Sequence, residues 1–254
     1  MLKVRSIRMS RFYYHPEVNH STILTLSREE SLHLKANRIK PGTKILLSDG
    51  KGNLYSGIFK GFISQIAHVE VIGKIKKEVK TYQLWVWQPL LKSWARLDWL
   101  IEKLVEIGVT GIGIFFSERC SHNQISSMKE DRLRKIIIEA AKQSGRIVFP
   151  TLKLTKNWYD FLAQCQGNNL NTIIGNFGAS KSISDYLINQ NLSSLQIVVG
   201  PEGDFNDDEK EQLQSLPRAC FLKFSDQILR SETAALFASI VCVASLESKH
   251  ENCY

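Results

Sequence analysis

Hydrophobic and polar positions divide the chain into two regimes. Over the first eighty residues, short apolar or alternating runs recur: Thr22-Ile-Leu-Thr-Leu26, Lys44-Ile-Leu-Leu-Ser48 and Asn53-Leu-Tyr-Ser-Gly-Ile-Phe59. Pro41-Gly42 and Asp49-Gly50-Lys51-Gly52 separate them as turn sequences, and the run beginning at Ile66 closes the series. Ser27-Arg-Glu-Glu30 has the spacing of a capping box and predicts a short helix through Ile39. Short strands with this punctuation predict a small β-barrel. The charged stretch Gly73–Lys80 reads as a linker or an exposed strand end.

From Tyr82 the period changes. Tyr82–Trp87 reads as a strand, and Trp94, Leu97, Ile101, Leu104 and Val105 then recur at helical spacing until Gly108. Gly113–Phe116 predicts a second strand. Leu133, Ile136, Ile137, Ala140 and Ala141 line a further helix that Gly145 ends. Buried strands are predicted at Thr172–Gly175, Leu195–Val199 and Ala219–Phe224. Asn206 with Glu209 forms a second capping box for a helix through Leu216, and Ser231 is placed to cap a last helix, Glu232 to Leu246. Strands alternating with longer helices predict an α/β domain with a largely parallel sheet.

Composition adds little beyond a globular chain of 254 residues, but charge adds a partition. Residues 1–80 hold fifteen Lys and Arg against six Asp and Glu, a net +9, whereas the remainder nets −1. A basic module joined to a nearly neutral domain suits a polyanionic partner, and nucleic acid is favoured over a membrane surface because no basic amphipathic helix with an aromatic face is present. The five cysteines (Cys120, Cys165, Cys220, Cys242, Cys253) form no C-x-x-C pair, which argues against a disulfide framework or zinc ribbon and for a reducing compartment. The opening stretch is basic and polar rather than a signal sequence, and no apolar run of about 18 residues reads as a membrane span. The six histidines show no metal spacing; His15, His33 and His122 read as surface or hydrogen-bonding residues.

Three segments remain as candidates for chemistry. Val199-Gly-Pro-Glu-Gly-Asp-Phe205 follows a strand, and its glycines let backbone amides approach a ligand closely, although a plain β-turn has the same residues. Neither a Walker A nor a G-x-G-x-x-G fingerprint is present. The second segment, Phe224–Ala235, runs from strand to helix and carries Arg230, Ser231, Glu232 and Thr233. Ser231 and Glu232 suit a helix start, but an arginine there is unfavourable unless it meets a phosphate or carboxylate. The third, Glu139-Ala-Ala-Lys-Gln-Ser-Gly-Arg146, places Arg146 at a helix C-terminus, where its charge is stabilising by itself.

Together these segments resemble the RsmE family of 16S ribosomal RNA N3-uridine methyltransferases within the SPOUT superfamily. The resemblance spans the chain through Arg8-Met-Ser-Arg-Phe-Tyr13, Asp98–Lys103 with Glu106–Val109, Phe116-Ser-Glu-Arg-Cys120, Glu139–Arg146, Gly200-Pro-Glu-Gly203 and Ile228-Leu-Arg-Ser-Glu-Thr233. It implies a PUA-like barrel over residues 1–77 that binds RNA. It implies next a SPOUT α/β domain over 78–254 whose C-terminal trefoil knot holds S-adenosylmethionine. It also implies a cytoplasmic homodimer acting on 16S rRNA or the small ribosomal subunit, with no metal and no membrane involved.

Carried onto this sequence, the resemblance puts Ile174, Gly175, Gly200, Pro201, Glu202, Gly203, Leu222, Ser225, Ile228, Leu229 and Thr233 around the cofactor. Arg8 and Arg11 would bind RNA. Arg230 would stabilise charge developing on the target uracil, and Glu202 or Glu232 would accept the N3 proton or orient Arg230. The sequence departs from the family pattern at Phe224-Ser-Asp-Gln227, where Ser225 replaces a glycine and Gln227 a cation, in the Leu91–Arg96 loop, and at Asp204, where a second glycine is common. Other functions fit the same residues: a SPOUT methyltransferase for another RNA position or for tRNA, or a non-catalytic RNA-binding assembly factor. Binding of S-adenosylmethionine separates the last from the others. A phosphate cradle at Gly200–Gly203 lacks a lysine at the right offset.

Overall fold

Two sheets organise the chain, each in its own unit. The computed structural model describes residues 12–18, 23–120, 124–188, 190–216 and 218–251. One unit takes the described residues up to Val79 together with Ile138–Phe149; the other takes Lys80–Ile137 and the described residues from Pro150 onward.

The first unit contains β1 (Tyr13–Tyr14), β2 (Ile23–Thr25), α1 (Arg28–Ala36), β3 (Lys44–Ser48), β4 (Asn53–Ile63) and β5 (Ile66–Lys77). Its sheet has the order β1-β3-β4-β5-β2, with β1 and β3 parallel and all other neighbours antiparallel. Ser64 and Gln65 take positive φ (48° and 69°) at the β4–β5 turn, as a right-twisted two-residue hairpin requires. Register shifts between β4 and β5 bend the hairpin over a core that includes Leu34, Leu47, Phe59 and Val69. The Ser27 hydroxyl caps α1 by accepting from the Glu30 amide at 3.1 Å. The helix stops at Ala36, three residues before Ile39, because Arg38 turns left-handed (φ 53°).

The Glu30 side chain is buried and accepts from Lys142 Nζ at 2.7 Å. Burial pushes the Glu30 carboxyl up, and the Lys142 ammonium offsets part of that shift. Lys142 also meets Glu139 at 3.0 Å. The Ile138–Phe149 stretch completes this unit through its backbone as well: the Gly52 amide donates to the Ile147 carbonyl and the Phe149 amide to the Gly50 carbonyl, both at 2.8 Å.

The second unit contains β6 (Gln83–Pro89), α2 (Trp94–Glu106), β7 (Gly111–Phe115), β8 (Thr151–Leu154), α4 (Trp158–Asn168), β9 (Asn171–Gly175), α5 (Ile183–Ile188), β10 (Ser194–Val198), α6 (Asp207–Gln214), β11 (Ala219–Leu222) and α7 (Ser231–Glu251). Helix α3 (Ser127–Ser144) has residues in both units. All neighbouring strands are parallel, in the order β11-β9-β10-β6-β7-β8. The fold is therefore a mixed α/β one, a mainly antiparallel sheet followed by a wholly parallel sheet. β8, α4 and α5 carry no expectation from the sequence pattern. β11 ends at Leu222 rather than Phe224, and β7 begins at Gly111.

Trp85 and Trp87 stack on one face of β6, with ring centroids 5.7 Å apart, and pair in register with Gly111 and Gly113 of β7. The indoles lie where side chains of β7 would stand. Trp87 Nε1 donates at 3.0 Å to Gln196 Oε1, and Gln196 Nε2 donates to the Cys165 carbonyl and the Thr172 hydroxyl, so this fully buried amide on β10 is satisfied.

Helix α7 corrects one expectation. Ser231–Ser248 is long and apolar enough, by length and composition, to cross a membrane. Its Ala235, Ala238, Ser239, Cys242 and Leu246 are nevertheless buried, and the helix packs on β6, α2 and α5, as the core helix of a globular unit does.

A Cβ at residue 113 would lie 2.0 Å from the Trp87 ring. Gly113→Ala is therefore expected to lower stability by about 1–3 kcal/mol through overpacking, measured as a shift of the denaturant midpoint at constant slope.

Candidate active site

Parallel sheets bind ligands at the carboxyl ends of their strands, where the strand order reverses. Here β6 starts the sheet, β7 and β8 extend it one way, and β9, β10 and β11 lie on the other side. The segments leaving β6, β9, β10 and β11 converge on a cavity of about 970 Å³. Its wall comprises Lys92, Ser93 and Arg96 after β6, Gly175–Gly178 after β9, Val199–Glu202 and Asp204 after β10, and Phe224, Ser225 and Gln227–Ser231 with Ala234 after β11.

One hydroxyl ties three of these segments. Ser231 Oγ donates to the Gly200 carbonyl at 2.7 Å and accepts from Gln88 Nε2, on β6, at 2.8 Å. Ser231 therefore does not cap α7. The first turn is closed instead by the Ala234 amide donating to the Arg230 carbonyl at 2.8 Å.

The Gly200–Asp204 loop is held from outside the cavity. Arg119 Nη1 donates to the Gly203 carbonyl, and the Asp204 amide closes a turn on the Pro201 carbonyl at 3.0 Å. The left-handed residue of this loop is Asp204 (φ 60°), not a glycine. Its carboxylate accepts from the Phe205 amide at 2.8 Å and meets Lys210 at 2.8 Å, and these bonds offset the conformational cost. The capping box at Asn206 and Glu209 forms as expected, and Glu209 Oε1 also accepts from the Glu118 amide at 2.9 Å. The Phe116–Cys120 motif thus acts as a brace for the loop after β10.

Gly175 is required for space: its Cβ would meet the Phe224 ring at 2.8 Å. Ser225, by contrast, lies outside the positive-φ residues, so a serine in place of glycine carries no backbone strain, and its hydroxyl accepts from the Gln227 amide at 3.1 Å.

Of the residues expected around a cofactor, Gly175, Gly200, Pro201, Glu202, Ser225, Ile228 and Leu229 line the cavity, as does Arg230. Ile174 and Leu222 are buried in the sheet, and their side chains do not line the cavity. Gly203 faces Arg119, and Thr233 is exposed outside the lining. Glu232 is buried beside the cavity rather than on its wall. Arg8 and Arg11 lie outside the described residues.

Charge on the wall is mixed. Arg230 is exposed and makes no ion pair or side-chain hydrogen bond with the described residues. Arg96, in the first turn of α2, stands 3.6 Å from Glu202 Oε1 and 3.7 Å from Glu232 Oε1, and Lys92 is 3.7 Å from Glu202 Oε2. Lys92 and Arg96 were not among the expected site residues. A signal existed: α2 has no acid in its first turn, so Arg96 opposes the helix dipole there as Arg230 does before α7. Among the described residues, no group of three or more His, Cys, Asp or Glu is placed to hold a metal ion.

A parallel sheet with a large cavity at its strand ends, glycine-bearing loops and cations set against carboxylates defines a ligand-binding α/β enzyme domain. The family model for the RNA methyltransferase domain matches residues 77–243, and the chain belongs to that family. The Ribosomal RNA small subunit methyltransferase E of Rickettsia conorii is 27% identical over 241 residues, covering 91% of this chain and 94% of that protein. A Thermotoga maritima structure, described as a predicted RNA methyltransferase, is 31% identical with a TM-score of 0.71, covering 94% of this chain and 99% of its own. The Neisseria gonorrhoeae Ribosomal RNA small subunit methyltransferase E, whose structure has S-adenosylmethionine bound, is 24% identical with a TM-score of 0.78 and covers 91% and 95% of the two chains. The resemblance to the RsmE family therefore holds over about nine-tenths of the chain.

Ser231→Ala removes the tie between Gly200 and Gln88. Leaving a buried carbonyl and amide short of a partner is expected to cost about 1–3 kcal/mol, read by urea unfolding.

Proposed function

We propose that this protein methylates N3 of a uridine in 16S rRNA with S-adenosylmethionine as donor. The observation that carries the reading is the cavity at the strand ends. It is shaped by Gly175 and Gly200–Glu202, and Arg230 stands on its wall with no partner among the described residues.

The residues present fit the cofactor. The cavity of about 970 Å³ is large enough for a nucleoside with an amino-acid tail, and its wall mixes apolar groups (Phe224, Ile228, Leu229) with backbone that can bond a base and a ribose. Gly175–Gly178, Val199–Glu202 and Phe224–Leu229 are the segments that would hold it. When bound, it supplies an electrophilic methyl group on a positively charged sulfur, so the reaction itself asks for no metal.

The protein's part is placement and charge. Uridine N3 carries a weakly acidic proton, and its loss puts negative charge on the ring carbonyl oxygens. Arg230 supplies a cation for that charge, and a carboxylate takes the proton. The N3 edge is normally base-paired, so the target is a uridine outside a stable helix or flipped from one. The first unit, with the basic residues of the N-terminal eighty, serves as the RNA-binding module of the PUA-like type. The segments leaving β9, β10 and β11 form the knotted cofactor site of the SPOUT type, and the protein works in the cytoplasm.

A homodimer completes this reading. Trp99 on α2 and Phe237 and Ile240 on α7 are exposed, and the two helices pack on one another. Three large apolar side chains on adjoining helices suit burial by a second copy. Phe237→Glu is expected to convert a dimer into a monomer, as read by light scattering during gel filtration.

Methyl-labelled S-adenosylmethionine, incubated with small ribosomal subunits lacking their native methyl marks, is expected to place label in N3-methyluridine after digestion to nucleosides. Arg230→Ala is expected to lower the rate by about 10²-fold, the scale of losing one preorganised charge-stabilising group. Label in another nucleoside, or undiminished turnover by the variant, overturns this assignment.

A further inference from the structure

Two carboxylates, Glu202 and Glu232, are candidates for the proton acceptor, and their surroundings differ. Glu202 sits on the cavity wall, its side chain 41% exposed, between Lys92 at 3.7 Å and Arg96 at 3.6 Å. Glu232 is not on the wall. Its side chain is 8% exposed, Oε1 faces Arg96 at 3.7 Å, and the buried Oε2 has no hydrogen-bond partner among the described residues.

A buried carboxylate needs a counter-charge far more than an exposed one does. Arg96 is the ion-pair partner of Glu232 among the described residues, whereas Glu202 also has Lys92 and solvent. Arg96 itself stands in the unfavourable first turn of α2, and these two carboxylates are what hold it there. The distances of 3.6–3.7 Å are ion-pair contacts rather than hydrogen bonds, so the guanidinium fork is not consumed by either acid.

We propose that Glu202 is the proton acceptor and that Glu232 is a positioning residue acting through Arg96, which sets the Glu202 carboxylate toward the target base. The assignment rests on the methylation proposed above and separates roles that reading left joined. In the step itself, Glu202 takes the proton from N3. Nitrogen keeps the electron pair of the broken N–H bond and forms the bond to the methyl carbon, and the carbon–sulfur pair remains on sulfur. Glu202 then releases its proton to solvent through the open side of the cavity.

The test combines methyl transfer to small subunits with thermal unfolding of the protein alone, using Glu202→Gln, Glu232→Gln, Arg96→Ala, Arg96→Lys and the Arg96→Ala/Glu232→Gln double variant. Glu202→Gln is expected to lower kcat by about 10²-fold or more with KM nearly unchanged. Glu232→Gln is expected to lower kcat only about 10-fold, and the double variant is expected to be no slower than Arg96→Ala, because coupled residues are not additive. Because neither contact is a bidentate hydrogen bond, Arg96→Lys, which keeps the charge, is expected to recover most of the rate.

In unfolding, Arg96→Ala strands the Glu232 charge and is expected to lower Tm by about 5–10 °C. Adding Glu232→Gln, which removes that charge while keeping the shape, restores most of the loss. Glu232→Gln as damaging as Glu202→Gln, or additive losses in the double variant, overturns the inference. A wild-type protein that transfers no methyl group overturns the methylation reading; the unfolding series then upholds or overturns the Arg96–Glu232 pairing by itself.

Discussion

The hydroxyl of Ser231 is the bond on which the site geometry depends. It is buried, it donates to a carbonyl of the Gly200 loop, and it accepts from an amide on the central strand β6. These contacts fix the start of α7 against two strand ends far apart in sequence. Because Ser231 is flanked by Arg230 and Glu232, the same bond decides which of its neighbours faces the cavity and which is turned into the protein. A helix start held only by a local cap would leave that choice open. Here the sheet makes it.

The electrostatics follow from this placement. Glu232 is buried, so it demands a cation, and Arg96 of α2 answers it from another segment of the wall. Glu202 lies on the solvent side of the same arginine. Two acids of like charge share one guanidinium without sharing an environment, and environments that differ are what separate the roles of chemically identical groups. Arg230, having no such partner among the described residues, is left to face whatever enters the cavity.

How much of this was legible in the sequence depended on the range of the interactions. Asn206 and Glu209 satisfy each other three residues apart, and the helix they predict is there. Ser27 and Glu30 have the same spacing, yet the Glu30 carboxylate is turned to Lys142, more than a hundred residues away, and no local pattern signals that. Ser231 reads as a cap because serine before a helix usually is one; its long-range partners override the habit. β8 and α5 are too short for periodicity to stand out, and the polar residues of α4 interrupt its apolar face. The Gly200–Gly203 loop and Arg230 are legible because glycine spacing and a charge at the wrong end of a helix are properties of the sequence itself. Arg96 breaks the same dipole rule, but the carboxylates that explain it, Glu202 and Glu232, lie more than a hundred residues away.

The excursion of Ile138–Phe149 has a consequence for inheritance. The chain lends a dozen residues from the middle of its sequence to the unit built by its beginning, and these supply Lys142 to Glu30, the Ile147 carbonyl to Gly52 and the Phe149 amide to Gly50. A gene fragment ending near residue 79 would encode every strand of the first sheet and still leave a buried acid uncompensated. A cassette cut at that boundary would therefore lack the contacts that residues 138–149 make within the first unit. Recombination at that boundary would part these partners, so the stretch around residues 138–149 would have to travel with the beginning of the gene to keep them.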